Sequence, residues 1–210
     1  MVLESESLLE GGRLEDPSSL SAARPALTLE HVKLDRPTMD DAADIVFLAN
    51  NRRVAEMLAN MPHPYGLAAA RNWIESTRNT EPGTASYAVR LKSTGRIIGA
   101  CGYQFGPVGH GREPELGYWI GEPFWGHGYA TEAAQAVIDH AFTVAGHETI
   151  AASCRLTNPA SRRVIEKCGF QYRGSGVMRS LAHGGSMVPV ETYILDRKTW
   201  DALKGWRSVG

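Results

Sequence analysis

The chain has 210 residues and is 43% hydrophobic, enough to bury the core of one ordinary domain with extensions. Its 22 basic and 23 acidic side chains leave a formal charge of -1, so no global basic field marks it for nucleic acid. Cys101, Cys154 and Cys168 are odd in number and form no CxxC pair, which argues against a disulfide framework or a zinc site and for a reducing, cytoplasmic setting.

The opening MVLESESLLEGG is acidic and has no apolar leader core, and no later window approaches a membrane-spanning length, so no membrane is expected as a partner. Residues 1–27 are rich in Ser, Glu, Gly, Ala and Pro without sustained periodicity and read as a flexible or docking arm; residues 28–210 read as one domain. A strand is predicted around LTLEHVKL. Thr38 followed by Asp41 forms an acidic variant of the capping box and starts a helix over DDAADIVFLAN. Further helices are predicted over RRVAEMLANM and LAAARNWIESTRN, separated by the proline-containing MPHPYG.

SYAVRL and RIIGACGYQF flank the short KSTG turn and predict a β-hairpin. After the long loop GPVGHGREP comes a strand, ELGYWIG, which runs straight into GEPFWGHGYATEA. Ala133, Ala134, Val137, Ile138 and Ala141 then follow helical spacing and predict an amphipathic helix packed on a sheet. TIAASCRL is the next strand. In NPASRRVIEKCGF, Asn158 suits an N-cap, Pro159 the first helical position and Gly169 the position past the end. FQYRGSGVMRSL and VPVETYIL form a hairpin around His183, Gly184, Gly185 and Ser186, and a short helix closes the chain. There is no internal repeat.

A strand, two glycines and a helix start gather free backbone N–H groups at the positive end of a helix dipole, which suits an anion such as phosphate. The dinucleotide-binding reading fails here. It requires GxGxxG and an acidic residue about 20 positions on. Gly126, Gly128 and Thr131 have another spacing, and the first acid after Glu132 is Asp139 in the same helix. Without further context, the glycines equally well terminate a strand.

GYWIGEPFWGHGYATEA followed by NPASRRVIEKCGF resembles the GNAT superfamily of N-acetyltransferases, in the branch of the ribosomal-protein N-terminal (alanine) acetyltransferases. The resemblance covers roughly residues 28–200 and implies a mixed α/β fold: a mostly antiparallel twisted sheet with a splayed central strand pair, flanked by helices. It implies acetyl-CoA as co-substrate, with its pyrophosphate on the loop Trp125, Gly126, His127, Gly128, Tyr129, Ala130 and Thr131. Trp125 stands where most of the superfamily has Arg or Gln. The pantetheine arm is expected along Trp119, Ile120 and Gly121, with Asn158 reaching it from the far strand.

The same resemblance assigns Glu115, in the pattern E-h-G-Y-W, as the base for the acceptor ammonium; a salt-bridged strand-end carboxylate is the competing reading. A backbone N–H near Ile120 takes the oxyanion. Ser161, three residues after Asn158, is the expected proton donor to the leaving thiolate, with Tyr193 in reserve. As a residue in the first turn of a helix, Ser161 has an ordinary structural role as well. His110 and His127 make no metal spacing with the cysteines, so no metal is expected, and Cys154 reads as a buried structural thiol.

Acceptor choice is expected in NMPHPYG, GPVGHGREP and LAHGGSM, which carry His63, Tyr65, His110 and His183. The acceptor is an amine, whether a protein N-terminus, an amino acid or a small molecule, and a homodimer is compatible with the resemblance. The reading from another class is a non-catalytic acyl-CoA-binding or protein-interaction module on the same fold.

Overall fold

The computed structural model describes residues 26–78, 81–106 and 113–207. Most of the expected arm and His110 lie outside the described residues. Eight strands form one sheet in the order β1-β2-β3-β4-β5-β6-β8-β7. The strands are β1 (Leu27–Thr28), β2 (Val32–Asp35), β3 (Ala85–Leu91), β4 (Ile97–Gln104), β5 (Glu115–Ile120), β6 (Thr149–Arg155), β7 (Gln171–Ser180) and β8 (Ser186–Asp196). Every neighbouring pair is antiparallel except β5 and β6, which run parallel.

The single strand expected over LTLEHVKL is two. Leu29 N–H donates to Val32 C=O at 3.0 Å, turning the chain so that β1 and β2 pair as a small hairpin. Beyond β2, Thr38 N–H donates to Asp41 Oδ2 at 2.7 Å and Asp41 N–H to Thr38 C=O at 3.0 Å. This capping box opens a short 3-10 turn that continues into α1 (Ala42–Ala49).

The helix expected over residues 52–61 is confined to α2 (Arg52–Ala55). The carbonyls that would continue it are engaged by other parts of the fold. Arg155 Nη1 donates to Glu56 C=O at 2.6 Å, and Leu181 N–H to Ala59 C=O at 2.9 Å. Tertiary hydrogen bonds thus replace the i to i−4 bonds that propensity alone favours. The remaining helices are α3 (Leu67–Ser76), α4 (Tyr129–Thr143), α5 (Pro159–Lys167) and α6 (Arg197–Arg207).

Strand alternation divides the core between the two faces of the sheet. Tyr87, Val89, Leu116 and Ile120 pack on one face with Ala133, Ala134, Val137, Ile138 and Ala141 of α4, Ile165 of α5 and Trp200 of α6. Ala88, Ile97 and the partly buried Trp119 pack on the other with Ile45 of α1, Val54 of α2 and Ala70 and Ile74 of α3. The apolar stripe expected on α4 is fully buried, which explains why five small or branched side chains recur at that spacing.

Among the described residues no helix is long and apolar enough to cross a membrane.

Candidate active site

β5 and β6 pair only at Glu115 with Ala151 and Leu116 with Ala152, although β5 runs to Ile120 and β6 to Arg155. The two strands part after Leu116 and leave an opening in the middle of the sheet. Ala151 N–H donates to Pro114 C=O across the paired end, at 2.8 Å, while Gly121 N–H donates to Ile98 C=O toward β4, also at 2.8 Å. Alternation therefore turns the backbone groups of Tyr118 and Ile120 toward the opening and those of Trp119 and Gly121 toward β4. Of the three residues read as a pairing edge, Ile120 alone presents its backbone to the opening. Tyr118, which the sequence reading passed over, presents the other set.

The glycine loop follows β5 directly. Trp125 N–H donates to Glu122 C=O at 3.2 Å, and the next backbone bond is Glu132 N–H to Gly128 C=O at 3.0 Å. The N–H groups of Gly126, His127, Gly128, Tyr129, Ala130 and Thr131 lie between them and take no backbone acceptor. Gly126 and Gly128 have φ of 82° and 83°, a left-handed conformation that disfavours any side chain, and a Cβ at either would meet nothing within 4 Å. The glycines therefore answer to backbone shape and to the open space before the loop, not to crowding by the protein. Together with the N-terminus of α4 they make an anion cradle.

Trp125 turns its indole back on the strand, donating from Nε1 to Ile120 C=O at 2.6 Å. The Arg53 guanidinium lies 5.3 Å from that ring and pairs with Glu122, which also accepts from Asn51 Nδ2 at 2.6 Å. A bracing cluster from α2 thus fixes the entry to the loop. His127 stacks on Tyr129, with centroids 5.4 Å apart.

Across the opening, Asn158 caps α5: its Oδ1 accepts Ser161 N–H at 3.1 Å. Its amide NH2 makes no hydrogen bond among the described residues. Ser161 Oγ is 2.8 Å and Ser161 C=O 3.1 Å from Tyr118 Oη, so the single Tyr118 hydroxyl proton serves one of these two oxygens at a time, and Ser161 Oγ donates to Tyr118 Oη when that proton is on the carbonyl. Burial pushes the Tyr118 hydroxyl well above the usual phenol range, against the pull of the Ser161 hydrogen bond, so it stays protonated. Tyr193 is differently engaged. Its hydroxyl donates to Glu191 Oε2 at 2.7 Å, and Glu191 is paired with Arg162 at 2.8 Å.

Glu115 is half-buried and opens on the face opposite Tyr118. Burial raises its carboxyl above the usual range, and a hydrogen bond with the Ser153 side chain offsets part of that rise. Both Glu115 and Tyr118 line a cavity of about 410 Å³ that reaches from the opening to α3 and to Met178 of β7. Asn60, Met61, Pro62 and Tyr65, all from NMPHPYG, supply part of its wall. His183 instead sits in the hairpin tip, where its Nδ1 is 3.0 Å from Ser180 Oγ. Cys154 is buried and its thiol is pushed up to about 11, chiefly by burial, so it is no thiolate nucleophile at neutral pH. Among the described residues no three His, Cys, Asp or Glu side chains gather as a metal site would need.

Residues 31–171 match the model of the acetyltransferase (GNAT) domain. The uncharacterised N-acetyltransferase p20 of Bacillus licheniformis is 34% identical over 88 residues, 42% of this chain and 49% of that one. The ribosomal-protein-serine acetyltransferase of Escherichia coli K12 is 35% identical over 60 residues, 29% of this chain and 34% of that one. The chain spans about half the length of the curated relatives it matches. In fold it is similar to the microcin C7 self-immunity acetyltransferase MccE, solved in complex with acetyl-CoA and AMP, with a TM-score of 0.65 and 20% identity over 80% of this chain and 93% of that one. A family match over most of the described sheet, joined to a strand pair that parts beside an anion cradle, makes the chain a member of the GNAT acetyltransferase family.

Proposed function

We propose that the chain is an acetyl-CoA-dependent N-acetyltransferase that passes the acetyl group directly to a primary amine. The observation that carries this reading is the parting of β5 from β6 after Leu116, next to a run of unbonded N–H groups. An opening in a sheet exposes backbone donors and acceptors that must find partners, and the two amides of a pantetheine arm supply them in the manner of an added strand. The Tyr118 backbone holds that arm on one side and the Asn158 amide on the other, while Ile120, its C=O taken by Trp125, keeps its N–H for the thioester carbonyl. The N–H groups of Gly126 to Thr131 take the pyrophosphate.

The chemistry then divides between the two faces of the sheet. Glu115 accepts a proton from the acceptor ammonium, directly or through water; its raised pKa makes it a better base than an exposed glutamate. The neutral nitrogen attacks the thioester carbonyl, and the Ile120 N–H stabilises the oxygen as it gains charge. When the carbon–sulfur bond breaks, the thiolate takes the Ser161 proton and Ser161 regains one that the attacking nitrogen sheds through solvent as it becomes the amide, while Tyr118, its one proton turned from Ser161 C=O to Ser161 Oγ, steadies that oxygen. No acyl-enzyme forms, in keeping with the protonated Cys154. The E. coli relative is named for a serine of a ribosomal protein, which supports a protein as one form of the acceptor.

The test is thiol release from acetyl-CoA with a panel of primary amines, alongside calorimetric titration of CoA. Binding of CoA with amine-dependent thiol release is expected. Tight binding with no release for any amine would instead establish a non-catalytic acyl-CoA-binding module.

A further inference from the structure

The cavity beneath Glu115 has a one-sided chemistry. Among its described lining residues Glu115 is the sole carboxylate, and there is no lysine or arginine. The remaining wall mixes Tyr65 and Trp73 of the α2–α3 region, Met57, Met61 and Met178 with uncharged polar side chains such as Asn60, Ser86 and Gln104. Met178 comes from β7, and hydrogen bonds from Arg155 and Leu181 to the backbone of Glu56 and Ala59 hold the two walls together.

A single carboxylate balances a single ammonium. Among the described lining residues a second cation on the acceptor would meet only neutral groups and no counter-charge, and an acceptor carboxylate or phosphate would meet no cation. Thioether and aromatic side chains instead favour an apolar body, and flexible methionines adapt to its shape.

Resting on the transferase reading above, we infer that the acceptor is a monoamine carried on an uncharged, apolar or aromatic body. Two sources share that chemistry: a small arylalkyl or alkyl amine, and a peptide N-terminus whose first residue is apolar. Polyamines, aminoglycosides and free amino acids fall outside it.

The experiment compares kcat/KM for phenethylamine, ethylamine, spermidine, an aminoglycoside, phenylalanine and a phenylalanine-initiated tripeptide amide. Phenethylamine or the tripeptide amide is expected to exceed ethylamine and spermidine by about 10- to 100-fold, the gain from burying one aromatic side group. Whichever of the two is faster identifies the source. Trp73→Ala is expected to shrink the phenethylamine-to-ethylamine ratio by about fivefold or more, an effect that general loss of activity cannot mimic.

Spermidine, the aminoglycoside or free phenylalanine as the best acceptor overturns the inference and leaves the transferase reading intact. If no amine releases thiol, that reading fails, and titration of phenethylamine into the CoA-saturated protein decides the chemistry of the cavity. Saturable binding weakened by Trp73→Ala supports an apolar monoamine site; no binding overturns it.

Discussion

Ser161 Oγ stands 2.8 Å from Tyr118 Oη, a contact that ties the first turn of α5 to the strand that leaves β6. One residue is 43 positions from the other in sequence, and the contact spans the opening in which the thioester is proposed to lie.

Tyr118→Phe and Ser161→Ala are each expected to lower turnover by about 10- to 100-fold with CoA affinity nearly kept, since a hydrogen-bonded donor contributes less than a full general acid. Tyr193→Phe should cost less, because that hydroxyl already donates to Glu191. Single-turnover rates with CoA titrations on the three variants check this. A defect confined to Tyr193→Phe would reassign the proton donor.

Glu115→Gln should lower kcat/KM by about 10²-fold or more and leave CoA binding in place. The same substitution has a stability signature. The folded-state pKa of Glu115 is raised, so its favourable contribution is fully present below the unfolded value and is lost as pH rises through the folded one. The substituted amide does not ionise, so the variant should match the wild type at low pH and melt higher at neutral pH. Thermal unfolding across pH shows the divergence; equal melting temperatures at all pH values contradict it.

Gly128→Ala forces a side chain into the left-handed region at φ 83°, at a cost of roughly 1–2 kcal/mol. The added methyl would meet no protein atom within 4 Å, so its cost to the fold is confined to the backbone, while the loop it stiffens is the one proposed to take the pyrophosphate. CoA affinity should therefore fall further than stability does. Calorimetry and denaturant unfolding on the same variant separate the two effects, and unchanged affinity removes the loop from the binding site.

Asp41 accepts two hydrogen bonds from Arg90, at 2.7 and 2.8 Å, while Arg90 also reaches Asp35 at 2.7 Å. Burial alone would raise the Asp41 carboxyl, but Arg90 and the Thr38 N–H outweigh it and hold it below the usual range. Its stabilising contribution is present above the unfolded pKa and lost as pH falls through the folded one. Asp41→Asn should cost about 1–3 kcal/mol at neutral pH, with the difference from wild type shrinking below about pH 4. Urea unfolding at several pH values measures it.

Local chemistry made much of this protein legible from its residues. The apolar stripe of α4, the Asn158 cap, the Thr38–Asp41 box and the two glycines before α4 each act within one or two turns of chain, so their spacing is enough to place them. The parting of β5 and β6 followed from a family resemblance joined to those motifs, and the pairing register confirms the splay. Tertiary structure decided the rest. The early end of α2 depends on donors from Arg155 and Leu181, about a hundred residues away, and no propensity encodes them. Tyr118 reads in sequence as one more strand aromatic; its meeting with Ser161 depends on how α5 docks beside a strand it does not follow. The cavity proposed for the acceptor draws Tyr65 and Trp73, Glu115 and Ser153, and Met178 from separate elements, and the one charge among its described lining residues emerges only when those walls close on one another. Short-range hydrogen bonds and hydrophobic periodicity are written along the chain, whereas the chemistry of a cavity is a property of surfaces brought together by packing.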